Sequence, residues 1–417
     1  MHISTILSRN TLITRHIFEN KNPVFPSSRS KPIYFPGLNA LRFIGALTVI
    51  VQHIEHLKHR LNYQTVIPHP SATRIGEYGV TLFFVLSGFL ITYLLFAEKH
   101  DYGTIAIKSF YVRRVLRIWP LYYLLLAIAI LVLPNIALFG VTDEPYDGFY
   151  RRIGNSAPWY VLMLANVAFV ARHTIPYAVQ LWSVACEEQL YLLWPHLVKN
   201  TAKYLLVFFT FILGSLFVAN AASYISFHYG SRLPASVAKT LGFVAEFLYY
   251  FRISSMAIGG LGAYLLYYKK QAILNVLYTK VTQIISLAGI LFILLYKGTI
   301  PYAHHAVLSS FFMVLILNVT TNERSLLKLE TKVLNYLGGI SYGFYMYHLI
   351  AIALVYNLIT RLFSQPASSQ LANYLLYSLT IVLTIGFSEV SYRFVESPFL
   401  KLKKYFTKVS NTDGVAT

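Results

Sequence analysis

Apolar residues run in long blocks along this chain, and polar residues gather between them. About ten blocks approach the ~20 residues that a helix needs to cross a bilayer. They lie at 38–57, 79–97, 114–133, 181–198, 204–222, 241–266, 281–297, 303–320, 335–357 and 372–394. A further apolar stretch, Trp159–Val170, is short. Pro23, Pro26, Pro32 and Pro36 break any helix before the first block. The pattern predicts an all-α polytopic membrane protein with about ten transmembrane helices.

Loop charges orient those helices, because Lys and Arg concentrate on the cytoplasmic side. With the basic N-terminus inside, Lys99, Lys108, Arg113, Arg114 and Arg117 fall inside, and Asp143, Glu144 and Asp147 fall outside. If Trp159–Val170 crossed the bilayer, Lys269–Lys270, Arg324–Lys332 and Lys401–Lys408 would all lie outside. If it lies in the outer leaflet or interface, they all fall inside, and this is the arrangement expected. Both termini are then cytoplasmic. The chain divides into a cytoplasmic tail (1–34), a membrane domain (35–400) and a second cytoplasmic tail (401–417). Residues 134–180 form the largest outer loop. It exceeds the ~12–15 residues usual for structureless connections, so it is expected to be structured and functional.

Composition agrees. The chain is 56% hydrophobic and 12% charged, where soluble domains carry about 25% charged residues. Mean hydropathy is +0.55. The formal net charge of +19 comes from 35 Lys and Arg against 16 Asp and Glu. This excess sits in short segments between apolar runs, which points to membrane orientation and not to nucleic acid. Aromatics make up 16%, with 33 Tyr, which suits interfacial belts and a polar-lined interior. The single cysteine, Cys186, excludes an intrachain disulfide framework and a cysteine-cluster metal site. Residues 1–34 lack the apolar core and small-residue cleavage site of a signal peptide, and a loose tail is expected there in preference to a transit peptide.

The candidate chemistry starts in the first block, FPGLNALRFIGALTVIVQHIEHLKHR at Phe35–Arg60. Arg42 and His53 are eleven positions apart, roughly 16 Å along a helix and on nearly the same face. Ionisable groups inside a membrane are costly and mark function by default. A snorkelling Arg42 that only marks the inner end is the plainer alternative. His53, His56 and His59 drift around the helix without a partner cluster, so no metal site is expected. In the third block, Arg114 and Arg117 share a face while Arg113 points elsewhere. They read either as anionic-lipid contacts at the inner surface or as a phosphate site for a co-substrate such as a coenzyme A thioester.

The fourth block opens QLWSVACEEQLYLLWPH, with Glu187 and Glu188 at its outer end. They read either as helix-capping acids or as a carboxylate that orients a histidine or polarises an acceptor hydroxyl. In the second block, Gly79 and Gly88 suit close helix packing, and Ser87 and Thr92 are expected to bond back to their own backbone. Ser341, Tyr345 and His348 share a polar stripe in the ninth block, with His348 either a core hydrogen-bonding group or a functional one. Glu389, Arg393 and Glu396 are spaced for a salt-bridged inner end, which Pro398 stops.

Together these stretches resemble the acyltransferase-3 family of membrane O-acyltransferases, from about Phe35 to Leu400. The resemblance rests on Arg42 and His53 with ten residues between them, GVTLFFVLSGFLI at Gly79–Ile91, and Arg114–Arg117 between Phe110 and Pro120. It also rests on WSVACEEQLYLLWP, ISYGFYMYHL and YRFVESP. Val184–Ala185–Cys186 departs from the more usual Leu-Ser-Val. The chain ends soon after the last block, so the soluble esterase-like domain of some members is expected to be absent. The resemblance implies transfer of an acyl group, most often acetyl, from cytoplasmic acyl-CoA to a hydroxyl on a glycan or lipid-linked glycan. It implies His53 as the central catalytic group, Glu187 assisting at the outer side, and Arg42, Arg114 and Arg117 holding acetyl-CoA. That donor is a co-substrate; no tightly bound cofactor is implied. A bacterial inner membrane is the implied location. A transporter or flippase is the competing reading, since intramembrane charges also mark transport paths. It predicts inverted repeats with broken helices in matching halves, and no such symmetry is visible in the sequence.

Overall fold

The computed structural model describes residues 33–61, 74–139, 146–296, 300, 303–363 and 369–407; side chains of 146–152 are not described. Most of both tails, and the acids Asp143 and Glu144, lie outside the described residues. The described chain is helical throughout, with short turns between helices. In order the α-helices are α1 (Leu38–Arg60), α2 (Ile75–Tyr102), α3 (Ile107–Ala127), α4 (Tyr146–Val161), α5 (Ala165–Val170), α6 (Leu181–Asn200), α7 (Tyr204–Tyr229) and α8 (Ala235–Phe251). There follow α9 (Ile253–Tyr267), α10 (Gln271–Leu277), α11 (Lys280–Leu295), α12 (His304–Thr321), α13 (Lys332–Gly339), α14 (Ser341–Leu362), α15 (Gln370–Ser391) and α16 (Ser397–Leu402).

Among the described residues, seven helical runs are long and apolar enough to cross a membrane. They contain α2, α3, α7, α8 with α9, α12, α14 and α15. The pair α10–α11, bent by 60°, would make an eighth. The sequence places about ten; α1 and α6 are full helices at the expected positions but are not among the seven. Charges account for α1, which carries Arg42, Glu55, Lys58 and Arg60.

Helix α2 is the spine. It packs most extensively on α9 and α1, and also meets α12 and α6. Lipid is as apolar as a leucine side chain, so close packing and interhelical hydrogen bonds must join such helices. Glycine supplies the close approach. A Cβ on Gly88 would lie 2.0 Å from the Met256 carbonyl oxygen, and one on Gly259 would lie 2.1 Å from that of Val85. On the other flank, a Cβ on Gly79 would lie 2.2 Å from Thr48 Oγ1. The packing role read for Gly79 and Gly88 is thus observed.

Several boundaries differ from the apolar pattern. The 241–266 block is broken at Arg252, which has φ 55° and joins α8 to α9. The 335–357 block is two helices meeting at Ile340. Trp159–Val170 is also divided. Met163 (φ 57°) ends the first segment and Arg172 (φ 63°) follows the second, so no single helix runs through it. Between residues 134 and 180 the described residues hold α4 and α5, so this segment is structured, as expected. Lys58 lies near the C-terminal end of α1. It is fully buried, with Nζ 3.0 Å from Glu55, and lies over the ring of Tyr377, whose hydroxyl donates to that same carboxylate. After α15, residues Tyr392–Glu396 form a π-helical turn, and Pro398 opens α16 where a stop was expected.

Candidate active site

On one side of α2, the helices α1, α3, α6 and α14 bring together most of the chemistry read from the sequence. His53 and His348 meet there, with ring centroids 4.8 Å apart. His53 Nδ1 lies 2.9 Å from the Val49 carbonyl oxygen, and His348 Nδ1 lies 2.8 Å from that of Tyr345. A carbonyl only accepts, so in each neutral ring Nδ1 carries the proton and Nε2 the lone pair. His348 is fully buried, and its Nε2 has no hydrogen-bond partner among the described residues. His53 is half-buried. Two basic nitrogens are therefore oriented by backbone and left open for a ligand. His56 and His59 are exposed, and the His56 ring lies edge-on to that of His53 with centroids 6.1 Å apart.

Helix α6 packs on α2 and α3. Glu187 accepts a hydrogen bond from Ser87 of α2, and Tyr191 donates to Ser87 Oγ at 3.2 Å. Ser87 therefore does not bond back to its helix as the sequence suggested; it links α2 to the carboxylate. Thr92 likewise accepts from Trp194 Nε1 at 2.8 Å. Glu188 accepts from Trp119 Nε1 at 3.0 Å. Gln180 is the N-cap of α6, so both acids lie about two turns inside the helix and cap nothing. Ser183 Oγ and Tyr345 Oη are 2.6 Å apart, and Gln180 Nε2 donates to the Met346 carbonyl at 2.8 Å. These bonds fix the start of α6 against the helix that carries His348.

The arginines divide by role. Arg113 donates to Glu98 at 3.1 Å and to the Phe406 carbonyl at 2.6 Å, tying α2, α3 and the C-terminal segment together. Arg114 stacks over Phe110 and Tyr191, its Cζ 5.4 Å from each ring centroid. Arg114 and Arg117 both act electrostatically on Glu187. They stand roughly 10 and 15 Å along α3 from Ile107. Arg42 Nη1 donates to Asn39 Oδ1 at 3.1 Å, near the point where Gly338 of α13 crosses the Asn39 backbone. At the end of α15, Arg393 pairs with Glu389, which also accepts from the Tyr336 hydroxyl at 2.5 Å. Glu396 leaves that trio. The π turn resets the register, and Glu396 is buried within the field of Arg117.

The acyltransferase domain family, acyltransferase-3, matches residues 35–393. The chain belongs to this family. With its several long apolar helices, this acyltransferase-3 chain is an integral membrane protein. It is similar to a protein of Staphylococcus aureus (strain COL) named "Putative O-acetyltransferase", with 28% identity over 384 residues. That alignment covers 88% of this chain and 58% of the relative. It is also similar to the O-acetyltransferase OatA of Staphylococcus aureus (strain NCTC 8325), with 26% identity over 389 residues, 89% of this chain and 58% of OatA. The chain thus spans under two thirds of the length of the curated relatives it matches. No solved structure matches it.

Within this acyltransferase-3 chain, His53 pairs with His348, Glu187 lies in the field of Arg114 and Arg117, and Arg42 sits nearer the start of α1. Two further groups join them. Ser87 is one, and nothing in an apolar helix distinguishes it from a backbone-bonding serine. His348 is the other; its polar stripe was visible, but its pairing with His53 is set by the α1–α14 contact.

Proposed function

We propose that this chain is a membrane O-acyltransferase that moves an acetyl group from cytoplasmic acetyl-CoA to a hydroxyl of a glycan or lipid-linked glycan. The observation that carries the reading is the His53–His348 pair, each ring held through Nδ1 by a backbone carbonyl, together with the grouping of Glu187 with the two arginines of α3. Similarity to OatA supports acetyl as the group and a glycan as the acceptor.

In this reading Arg114 and Arg117 hold the donor phosphates, as paired guanidinium groups suit phosphate oxygens. Arg42 contributes at the inner end. His53 Nε2 accepts the proton of the acceptor hydroxyl. The hydroxyl oxygen attacks the thioester carbonyl carbon, the C–S bond breaks, and the departing thiolate takes that proton back from His53 to leave as free coenzyme A. His348 Nε2 lies beside His53 as a second proton acceptor. Glu187, held by Ser87, orients the cationic groups on the other wall. Helices α1, α6 and α10–α11 join the seven apolar runs to give ten spans, with both termini cytoplasmic in a bacterial inner membrane.

The test is thermal stability of the purified protein with and without acetyl-CoA. At 100 times its Kd a ligand stabilises by about 2.7 kcal/mol. The wild type should shift and a variant with Arg114→Ala and Arg117→Ala should not. No shift with acetyl-CoA or longer acyl-CoAs would overturn the donor site and favour a transport role.

A further inference from the structure

On the far side of α2 from His53 lies a cavity of about 770 Å³, walled by α7, α8 and the start of α12. Arg252, at the break between α8 and α9, lines it. This residue is only 2% exposed, yet Nε, Nη1 and Nη2 all lack a hydrogen-bond acceptor among the described residues. Its guanidinium stacks on Tyr249 at 4.9 Å, and its closest carboxylate oxygen, on Glu77, is 3.9 Å away. That oxygen already accepts the Tyr249 hydroxyl at 3.3 Å. Buried guanidinium groups are ordinarily paired and hydrogen-bonded. Arg113 shows the ordinary case in this same chain.

A second open group lines the cavity. His305 is buried, its Nδ1 lies 3.2 Å from Thr81 Oγ1, and its Nε2 has no partner among the described residues. The nearby carboxylate of Glu246 is engaged by Arg172 at 2.6 Å. Across from these groups, α7 lines the cavity with Ser215, Asn220, Ser223 and Ser226.

We propose that this cavity binds the phosphate or carboxylate of a ligand, with Arg252 as the anchor and His305 as a second contact. The planar guanidinium fork matches either anion, and the serines of α7 receive a hydroxylated portion. The positive end of α9 adds to the attraction. The site is separate from the acyl-transfer reading and does not depend on it. Contacts do join the two regions: Glu77 N–H donates at 3.0 Å to Gln52, the neighbour of His53, and Cys186 Sγ, beside Glu187, donates to the Tyr250 carbonyl at 3.8 Å.

The test is binding to the purified full chain in lipid nanodiscs, with two matched pairs of probes. Glucuronate is compared with glucose, and farnesyl phosphate with farnesol. At least one anion should bind and its neutral counterpart should not. Glucuronate alone identifies a soluble carboxylate, and farnesyl phosphate alone a lipid phosphate. Arg252→Gln should weaken binding at least tenfold. Ala219→Phe keeps Arg252 and fills the cavity from α7, so it should do the same, and it serves alone if Arg252→Gln does not fold. Absence of anion binding, equal binding of a neutral counterpart, or binding undiminished in Ala219→Phe or in folded Arg252→Gln overturns the proposal. The acetyl-CoA shift is read in parallel, so failure of one site is not mistaken for failure of the other.

Discussion

Two pairs of histidines flank α2, and they differ in what surrounds them. His53 and His348 come from α1 and α14, each with Nδ1 spent on a backbone carbonyl. Around them the polar side chains are interlocked through Ser87, Glu187, Tyr191, Ser183 and Tyr345. His304 and His305 are sequence neighbours at the start of α12, held by Tyr78 at 3.3 Å and Thr81 at 3.2 Å. Beside them is open volume and a guanidinium without a hydrogen bond. The first region is shaped around two nitrogens, as proton transfer requires. The second is shaped around an empty space, as ligand capture requires. A polar side chain inside a membrane protein thus has two distinct uses, and its hydrogen-bond partners tell them apart.

The comparison can be broken most directly at His53. His53→Ala should lower acetyl transfer at least about a hundredfold while anion binding at Arg252 persists. Loss of both together would merge the two regions into one site.

The next largest effect concerns the spine that separates them. A Cβ on Gly88 would sit 2.0 Å from the Met256 carbonyl oxygen, whereas one on Gly386 would meet nothing within 4 Å. Gly88→Ala should therefore cost about 1–3 kcal/mol through overpacking, and Gly386→Ala should stay within about 0.5 kcal/mol. Thermal denaturation in detergent measures both; equal effects would remove α2 as the packing centre.

The smallest effect lies outside both regions, in the loop before α13. Partial burial pushes the Glu330 carboxyl up. Hydrogen bonds from Tyr34, Asn335 and the Gly37 N–H outweigh it and hold the group below its usual 4.5. A depressed carboxylate stabilises the fold above its unfolded pKa, and that contribution is lost as pH falls through the folded value. Glu330→Gln should therefore lower stability slightly at neutral pH and match the wild type at acid pH. A variant difference that grew below pH about 4 would reverse the assignment.

The sequence made the helical class and the family legible, because apolar block length and motif spacing survive without tertiary information. Arg42, His53, Arg114, Arg117 and Glu187 stood out as charges in apolar helices. What escaped depends on contacts between helices. Ser87 took a side-chain partner one hundred residues away in place of its own backbone. Glu396 changed face because a π turn inserts into the ladder, and no residue type announces such a turn. The break at Arg252 carries neither Gly nor Pro, so a left-handed arginine joined two helices that read as one block. The burial of Lys58 is not legible in the sequence, because its partners, Glu55 and Tyr377, come together only when α15 packs on α1.

The central claim is that His53 and His348 act on one acyl transfer. It is tested by following radiolabelled acetyl from acetyl-CoA into base-labile esters, in proteoliposomes supplied with bacterial envelope glycan. Wild type, His53→Gln, His348→Gln and the double variant are compared. Groups that act as a unit are non-additive, so the account predicts that the double variant loses no more than His53→Gln alone. Transfer retained in His53→Gln, or losses that multiply in the double variant, would contradict it.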